Sequence, residues 1–219
     1  MQLYSKAHFA VRHAASKDAT RFNLNGIHFK ADGTTEATDG HILIRVKAET
    51  PSGDEYPSVP GVEASNGEAL KEFILPTEAA ERAVKSIPKG RQTMPVLSNV
   101  GLDVKSTNEN GAARFITTDL ETTAVTEGRK IDGEFPKTDQ LIPKVADDAE
   151  PTFVIDLNLM ERIVKAAKEF GGSGKANISG KPVTFAKFYV SDPLSAILIQ
   201  VDNPHVGQLE AVIMPCRIK

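Results

Sequence analysis

Apolar and polar residues follow an order along this chain that recurs three times: a short apolar strand, one amphipathic helix, then strands of alternating pattern. In repeat A, Gln2-Leu3-Tyr4 leads into a helix predicted near 6–17 and strands near 21–31, 34–38 and 41–48. In repeat B, Phe73-Ile74-Leu75-Pro76 precedes a helix near 78–87 and strands near 96–105, 112–118 and 122–130. In repeat C, Thr152-Phe153-Val154-Ile155 precedes a helix near 159–170 and strands near 175–179, 183–190, 195–201 and 208–214, one more than the pattern requires. Between the repeats, Glu49 to Glu72 is rich in Pro, Gly, Ser and acidic residues, and Lys144 to Pro151 carries Asp147, Asp148 and Glu150; both read as linkers. The expected class is α+β, with a larger domain over 1–145, interrupted by a loop over 49–71, and a half-domain or small second domain over 146–219.

The helices sort their residues by face. In repeat C, Leu159, Met160, Ile163, Val164 and Ala167 form one apolar side, while Arg162, Lys165 and Lys168 recur every third residue, and Asn158 with Glu161 offers an N-terminal cap. In repeat B, Ala79, Ala80, Ala83, Val84 and Ile87 face inward, leaving Arg82 and Lys85 outward with Lys89 and Arg91 beyond. In repeat A the polar side holds Lys6, His8, Arg12, His13 and Lys17. Lys and Arg are good helix formers on any solvated face. Their presence on all three helices of an acidic chain also fits helices turned towards phosphates, where sequence-independent attraction would permit sliding.

Composition narrows the field. A chain of 219 residues can bury a sizeable core, and its 40% hydrophobic and 25% charged content is that of a globular protein. No stretch approaches the roughly 20 apolar residues of a membrane span, and the first residues lack the apolar core of a signal peptide, so the expected location is the cytoplasm. One cysteine, Cys216, excludes an internal disulfide and any multi-cysteine metal site. The formal charge of −3 argues against a surface coated in basic residues, although it leaves local patches open.

Four motifs are more specific than periodicity. Arg21-Phe22-Asn23-Leu24-Asn25-Gly26-Ile27, Ala37-Thr38-Asp39-Gly40-His41, Gly133-Glu134-Phe135-Pro136 with Leu141-Ile142-Pro143, and the tail Val212-Ile213-Met214-Pro215-Cys216-Arg217-Ile218 stand in this order along the chain. They resemble the R-x-x-L-N-G, A-T-D-G-H-R-L and G-x-F-P runs and the V-V-M-P-M-R-L tail of the bacterial DNA polymerase III beta subunit, the sliding clamp. Thr93-Met94-Pro95-Val96-Leu97-Ser98-Asn99 with Thr118-Asp119-Leu120-Glu121 resembles that family's first domain instead, so the resemblance describes a shortened and rearranged clamp.

The resemblance implies a DNA-clamp fold of repeated βαβββ units, antiparallel sheets outside and helices lining a central hole. It implies a processivity factor that encircles duplex DNA without reading its sequence and tethers DNA polymerase and clamp-loader peptides, bacterial or phage-encoded and nucleoid-associated. It assigns a peptide-binding cleft to Leu24, Thr38, Gly40, His41, Ile42, Leu43, Pro136, Gln140, Leu141 and the tail Val212, Ile213, Met214, Pro215, Cys216, Arg217 and Ile218. It assigns DNA-facing roles to Lys6, Arg12, Lys17, Arg82, Lys85, Lys89, Arg162, Lys165 and Lys168. Two positions depart from the family: Ile42 stands where it has Arg, and Cys216 where it has Met, which removes one polar contact and shrinks one subsite. Counting repeats gives a ring of four chains, in which repeat C completes a domain with repeat C of a neighbour; reading the length as two domains gives a trimer, and a monomer is the third possibility. An adaptor or decoy that binds replication proteins without encircling DNA is the alternative function.

Other readings of the same residues are structural. Asp39-Gly40 suits a hairpin turn. His41 has no second His or Cys at ligand spacing. Gly171-Gly172-Ser173-Gly174-Lys175 follows a helix, has Glu169 where a phosphate loop needs Gly and Ala176 where it needs Ser or Thr, and reads as a helix-ending turn. Cys216 is expected to be a small apolar wall residue and Phe153, Phe170, Phe185 and Phe188 to be core. No nucleophile, base and orienting group assemble, so no enzyme activity, cofactor or metal is expected.

Overall fold

The computed structural model describes residues 2–47, 69–88, 95–108, 111–146, 148–171, 183–203, 205 and 207–216. The chain divides into two compact bodies, Met1–Leu141 and Ile142–Lys219. The first body holds β1 (Gln2–Ser5), α1 (Lys6–Ala10), β2 (Gly26–Phe29), β3 (Thr35–Thr38), β4 (Leu43–Val46), β5 (Phe73–Pro76), α2 (Thr77–Lys85), α3 (Pro95–Ser98), β6 (Asn99–Asp103), α4 (Val104–Asn108), β7 (Ala112–Thr118) and β8 (Thr123–Arg129). The second holds α5 (Leu157–Phe170), β9 (Lys187–Tyr189), β10 (Ile197–Asn203) and β11 (Gly207–Ile213).

Repeats A and B trade their leading strands. The two sheets run β1-β6-β7-β8 and β4-β3-β2-β5, all antiparallel, so β1 of repeat A completes the sheet of repeat B and β5 of repeat B completes that of repeat A. Gln2 pairs with Leu102 and Phe73 with Phe29. The exchange requires a glycine at one point: a Cβ on Gly26 would lie 2.4 Å from the Leu75 carbonyl oxygen across the β2–β5 pair. Between the sheets and helices sits an aromatic core in which Tyr4 meets the edge of Phe29 at 5.0 Å and Phe73 stacks on Phe29 at 4.8 Å. Ala79, Ala80 and Ala83 seat α2 on this core; small side chains let the helix approach closely.

Several local expectations change. The helix near 6–17 is α1 followed by a 3-10 turn, Val11–Ala14. The chain leaves helical geometry at Ala15, and the Ser16 N–H donates to the Leu24 carbonyl at 2.9 Å. The first half of the strand near 21–31 is a 3-10 segment, Ala19–Leu24, because Asp18 accepts the Thr20 N–H at 2.9 Å and caps it. The strand near 96–105 shrinks to β6: Ser106 and Thr107 hydroxyls donate to the carbonyls of Asp103 and Val104 and close the helical turn of α4. The cap of α5 is Asp156, which accepts the Asn158 N–H at 2.8 Å, so Asn158 is inside the helix.

In the second body α5 covers a sheet of order β11-β10-β9, with Ile197, Ile199 and Ile213 buried against Met160, Ile163 and Ile155. Residues 152–155 form no strand pairing here, and the strand near 183–190 is only β9. The strand predicted near 175–179 lies outside the described residues, as do most of the loop over 49–71 and Gly172–Lys175. Gly171 ends α5 at φ +91°, its N–H on the Ala167 carbonyl at 3.2 Å. Of the four aromatic residues expected to be core, Phe170 is half-buried, and Phe153 is 39% exposed, Phe185 60% and Phe188 53%. One helix and three strands have too little apolar surface to cover them.

Candidate peptide-binding site

In the first body the structure brings together two of the three expected elements, the repeat A residues Leu24 and Thr38 to Leu43 and the closing segment; the third, the tail, belongs to the second body. The Thr38–Leu43 connection is a tight turn built by its own polar side chains. Thr38 donates through Oγ1 to the Ile42 carbonyl at 2.6 Å and accepts the Gly40 N–H at 3.0 Å, while Asp39 accepts the N–H groups of His41 and Ile42 at 2.8 and 3.0 Å. Burial works against ionising Asp39, but those two amides hold its carboxyl below the usual range. Gly40 sits at φ +91°, the left-handed region that its lack of Cβ allows. Thr118–Thr122 repeats the turn bond for bond, with Leu120 at φ +78° in place of Gly40.

The closing segment is clipped beside this hairpin. Asn23 donates to the Glu134 carbonyl at 2.9 Å, Phe135 stacks on His28 at 4.6 Å, and Arg21 donates to the Asp39 carbonyl at 3.2 Å. Below them Glu36 is buried on β3, one carboxylate oxygen 2.9 Å from His28 Nδ1, the other accepting from Arg45 at 2.8 and 2.6 Å and from Thr138 Oγ1 at 2.7 Å. Burial alone would raise the Glu36 pKa; hydrogen bonds from His28, Thr138 and Arg45, with the Arg45 charge, prevail and lower it to about 2. Asp139, in turn, bridges Lys30 at 2.9 Å and Arg45 at 2.8 Å. Sequence reasoning missed this network, because a Glu in an alternating strand ordinarily points to water. Its signal was the unusual run of polar residues Thr34 to Thr38 within a strand pair.

Of the expected cleft residues in this body, Gly40, His41, Ile42, Pro136, Gln140 and Leu141 are exposed and Leu43 is half-buried. Leu24 and Thr38 are buried, so they support the turn and the core from beneath.

In the second body the tail residues line a groove of about 600 Å³ between α5 and β11, walled by Leu159, Arg162, Ile163 and Ala166 on one side and Leu209 to Met214 on the other. Val212 and Met214 are exposed, while Ile213 is buried in the core and Pro215 is half-buried. The helix residues were expected as core or DNA-facing, not as groove walls. Size is the difference from repeat B: a Cβ on Gly128 would meet Ala79 at 2.7 Å, so α2 lies close on β8, whereas the larger Leu159 and Ile213 stand at the equivalent places here and both line the groove. Cys216 is exposed, so it is not a buried wall residue; its N–H donates to the Val154 carbonyl at 2.7 Å. Arg217 and Ile218 lie outside the described residues.

The basic residues behave unequally. Lys6, Lys17, Arg162 and Lys168 are exposed. Lys17 lies beyond the helical residues of repeat A, which ends the expected single face. Arg12 is half-buried and donates to the Phe9 carbonyl at 3.0 Å, Arg82 reaches the Glu127 carbonyl at 3.3 Å, and Lys85 and Lys165 pair with Glu81 and Glu161 one helical turn away. Lys89 lies outside the described residues. Among the described residues no group of His, Cys, Asp and Glu could hold a metal ion, and no helix is long and apolar enough to cross a membrane.

The fold as a whole matches solved structures. The DNA polymerase sliding clamp of Bacillus subtilis matches 100% of this chain and 50% of its own at a TM-score of 0.66 and 16% identity. The fold is that of the bacterial sliding clamps. The beta subunit of Streptococcus pyogenes DNA polymerase matches 98% of this chain and 50% of its own at a TM-score of 0.63 and 15% identity. In sequence the chain is 32% identical over 135 residues to the beta sliding clamp of Synechocystis sp., covering 60% of this chain and 31% of that relative. No family model matches the sequence. The chain thus has the clamp fold while spanning a third to a half of the length of the clamps it matches.

Proposed function

We propose that the chain is a shortened sliding clamp, which closes into a ring around duplex DNA with other copies of itself and tethers replication proteins through linear peptides. The observation that carries this reading is the whole-length match to the clamp fold, together with an apolar groove beside the very tail whose motif resembles the clamp family's. In the proposed peptide site the exposed Val212 and Met214 of the second body supply aliphatic contacts for Leu or Phe anchors; in the first body the Gly40 to Leu43 turn with Pro136, Gln140 and Leu141 offers a peptide surface of its own. Four chains satisfy the repeat count of a closed ring; three would satisfy the length count. Lys6, Arg162 and Lys168 are the best placed of the basic residues for loose phosphate contact, because they are exposed.

Retention on circular nicked plasmid, lost when the plasmid is linearised, is the outcome expected of a ring; equal retention on both forms excludes encirclement. Fluorescence-polarisation titration with a labelled peptide from a polymerase or clamp loader tests the tail. Met214→Ala is expected to weaken binding by roughly 1–3 kcal/mol without changing the fold, and unchanged affinity removes the assignment. Light scattering on a sizing column decides between four chains, three and one.

A further inference from the structure

Repeat C has the same local construction as repeat B up to one missing neighbour. In repeat B the Ile131 N–H donates to the Ile74 carbonyl at 2.9 Å, tying the leading strand to the chain just after β8. In repeat C the Cys216 N–H donates to the Val154 carbonyl at 2.7 Å, tying 153–155 to the chain just after β11. The helices α2 and α5 begin three residues after Ile74 and Val154 respectively. Phe153, Val154 and Ile155 therefore stand where Phe73, Ile74 and Leu75 stand. In the first body the other side of that strand is occupied by β2 of repeat A; in the second body it has no partner among the described residues.

Among the described residues the receiving edge is open as well. Inward-facing residues fix the equivalence of the following strands. Phe115 on β7 and Thr35 on β3 are buried and pair with Leu102 and Phe29; Ile199 on β10 is buried and pairs with Phe188. Phe188 thus occupies the place of Phe29 and Leu102. Those two residues are fully buried, each paired with the leading strand of the other repeat, whereas Phe188 is 53% exposed on the edge of β9 that has no partner among the described residues.

We propose that two copies of the C-terminal body complete each other by exchanging leading strands, residues 153–155 of each adding antiparallel to the open edge of β9 in the other. Both exchanges in the first body, Phe73 on Phe29 and Gln2 on Leu102, give one register: Phe153 of one copy opposite Phe188 of the other, Val154 opposite Lys187, and Ile155 opposite Ala186. The side chains fit it. Phe153 on Phe188 reproduces the stacked pair Phe73 on Phe29, and both rings are exposed until a partner arrives. The arrangement is reciprocal, so two copies close on a two-fold axis and leave neither edge open. It deepens the ring reading by supplying the interface through which repeat C finds its second half, yet it stands on the internal repeat and needs no DNA.

The test is a cross-link in the full chain. In a Cys216→Ser background, Phe153→Cys with Phe188→Cys is expected to give a reducible covalent dimer on a non-reducing gel, and neither single substitution is; directly opposed strand residues have Cα atoms about 5.5 Å apart, within reach of a disulfide. Monomer only from the double variant, with a helix signal equal to the parent's, overturns the proposal. Wild-type protein serves where the variants fold poorly. Backbone amides of Phe153 and Ile155 are expected to be protected from hydrogen exchange at high concentration and to lose protection on dilution; concentration-independent exchange overturns the proposal. A cross-linked dimer that is not retained on circular plasmid would keep this interface and end the ring reading, and the reverse pair of results would do the opposite.

Discussion

Phe29 and Phe188 occupy equivalent places in two copies of one repeat, yet the first is fully buried and the second is half in water. The difference comes from what stands beside each. Phe29 is covered by a strand contributed by another repeat, and Phe188 has the equivalent neighbour on one side and, among the described residues, none on the other. A βαβββ repeat is therefore half a folding unit: its own residues build three strands and a helix, and the fourth strand has to be lent. The first body satisfies that need internally, and the described residues of the second do not.

Four experiments would break or sharpen this contrast. Phe29→Ala should cost about 3–5 kcal/mol, as truncation of a packed aromatic does, while Phe188→Ala should cost under about 1 kcal/mol in dilute chain, as exposed positions do; equal losses in urea titrations would mean that the two edges are equally covered. Glu36→Ala should cost about 3–5 kcal/mol by removing the buried acceptor that His28, Arg45 and Thr138 share and leaving Arg45 only the exposed Asp139, and the loss should appear in the transition of the first body alone. Acid should act on the same group. The folded Glu36 carboxyl is held at about 2 against an ordinary 4.5, so its contribution is complete above 4.5 and lost as pH falls from there towards 2. Denaturant titrations across that window should show the first body weakening by on the order of 3 kcal/mol in the wild type and by much less in Glu36→Gln. Gly40→Ala should cost about 1–2 kcal/mol for a Cβ in the left-handed region, which thermal melts would read.

Much of this was legible from local pattern. The helices over 77–85 and 157–170, the hairpins of repeats B and C, and the Asp39-Gly40 turn follow from short-range rules, because each is decided by residues within a few positions of one another. The exchange of β1 and β5 was not legible, since alternation says that a strand forms and is silent on which distant strand it joins. The same blindness placed Phe153, Phe185 and Phe188 in a core. Their apolar character was read correctly, and the surface that would cover them is not supplied by their own repeat. Within the site, the resemblance identified the turn, the closing segment and the tail, but not the Glu36 network that clips two of these together or the walls that α5 gives to the groove. Both depend on burial, which a polar residue on a strand or a Leu on a helix does not announce.

The pairing of Gln2 with Leu102 also sets an order of events during synthesis. Strand β1 leaves the ribosome with α1 and the first hairpin, and its place in a sheet does not exist until β6 has followed it nearly a hundred residues later. Until then β1 has no sheet to join; β2 likewise waits with Phe29 uncovered until β5 emerges, in the condition that β9 shows among the described residues. At elongation rates of about 5–20 residues per second, that interval lasts several seconds. It is a span in which an early chain is open to any passing strand, including one from another copy of itself.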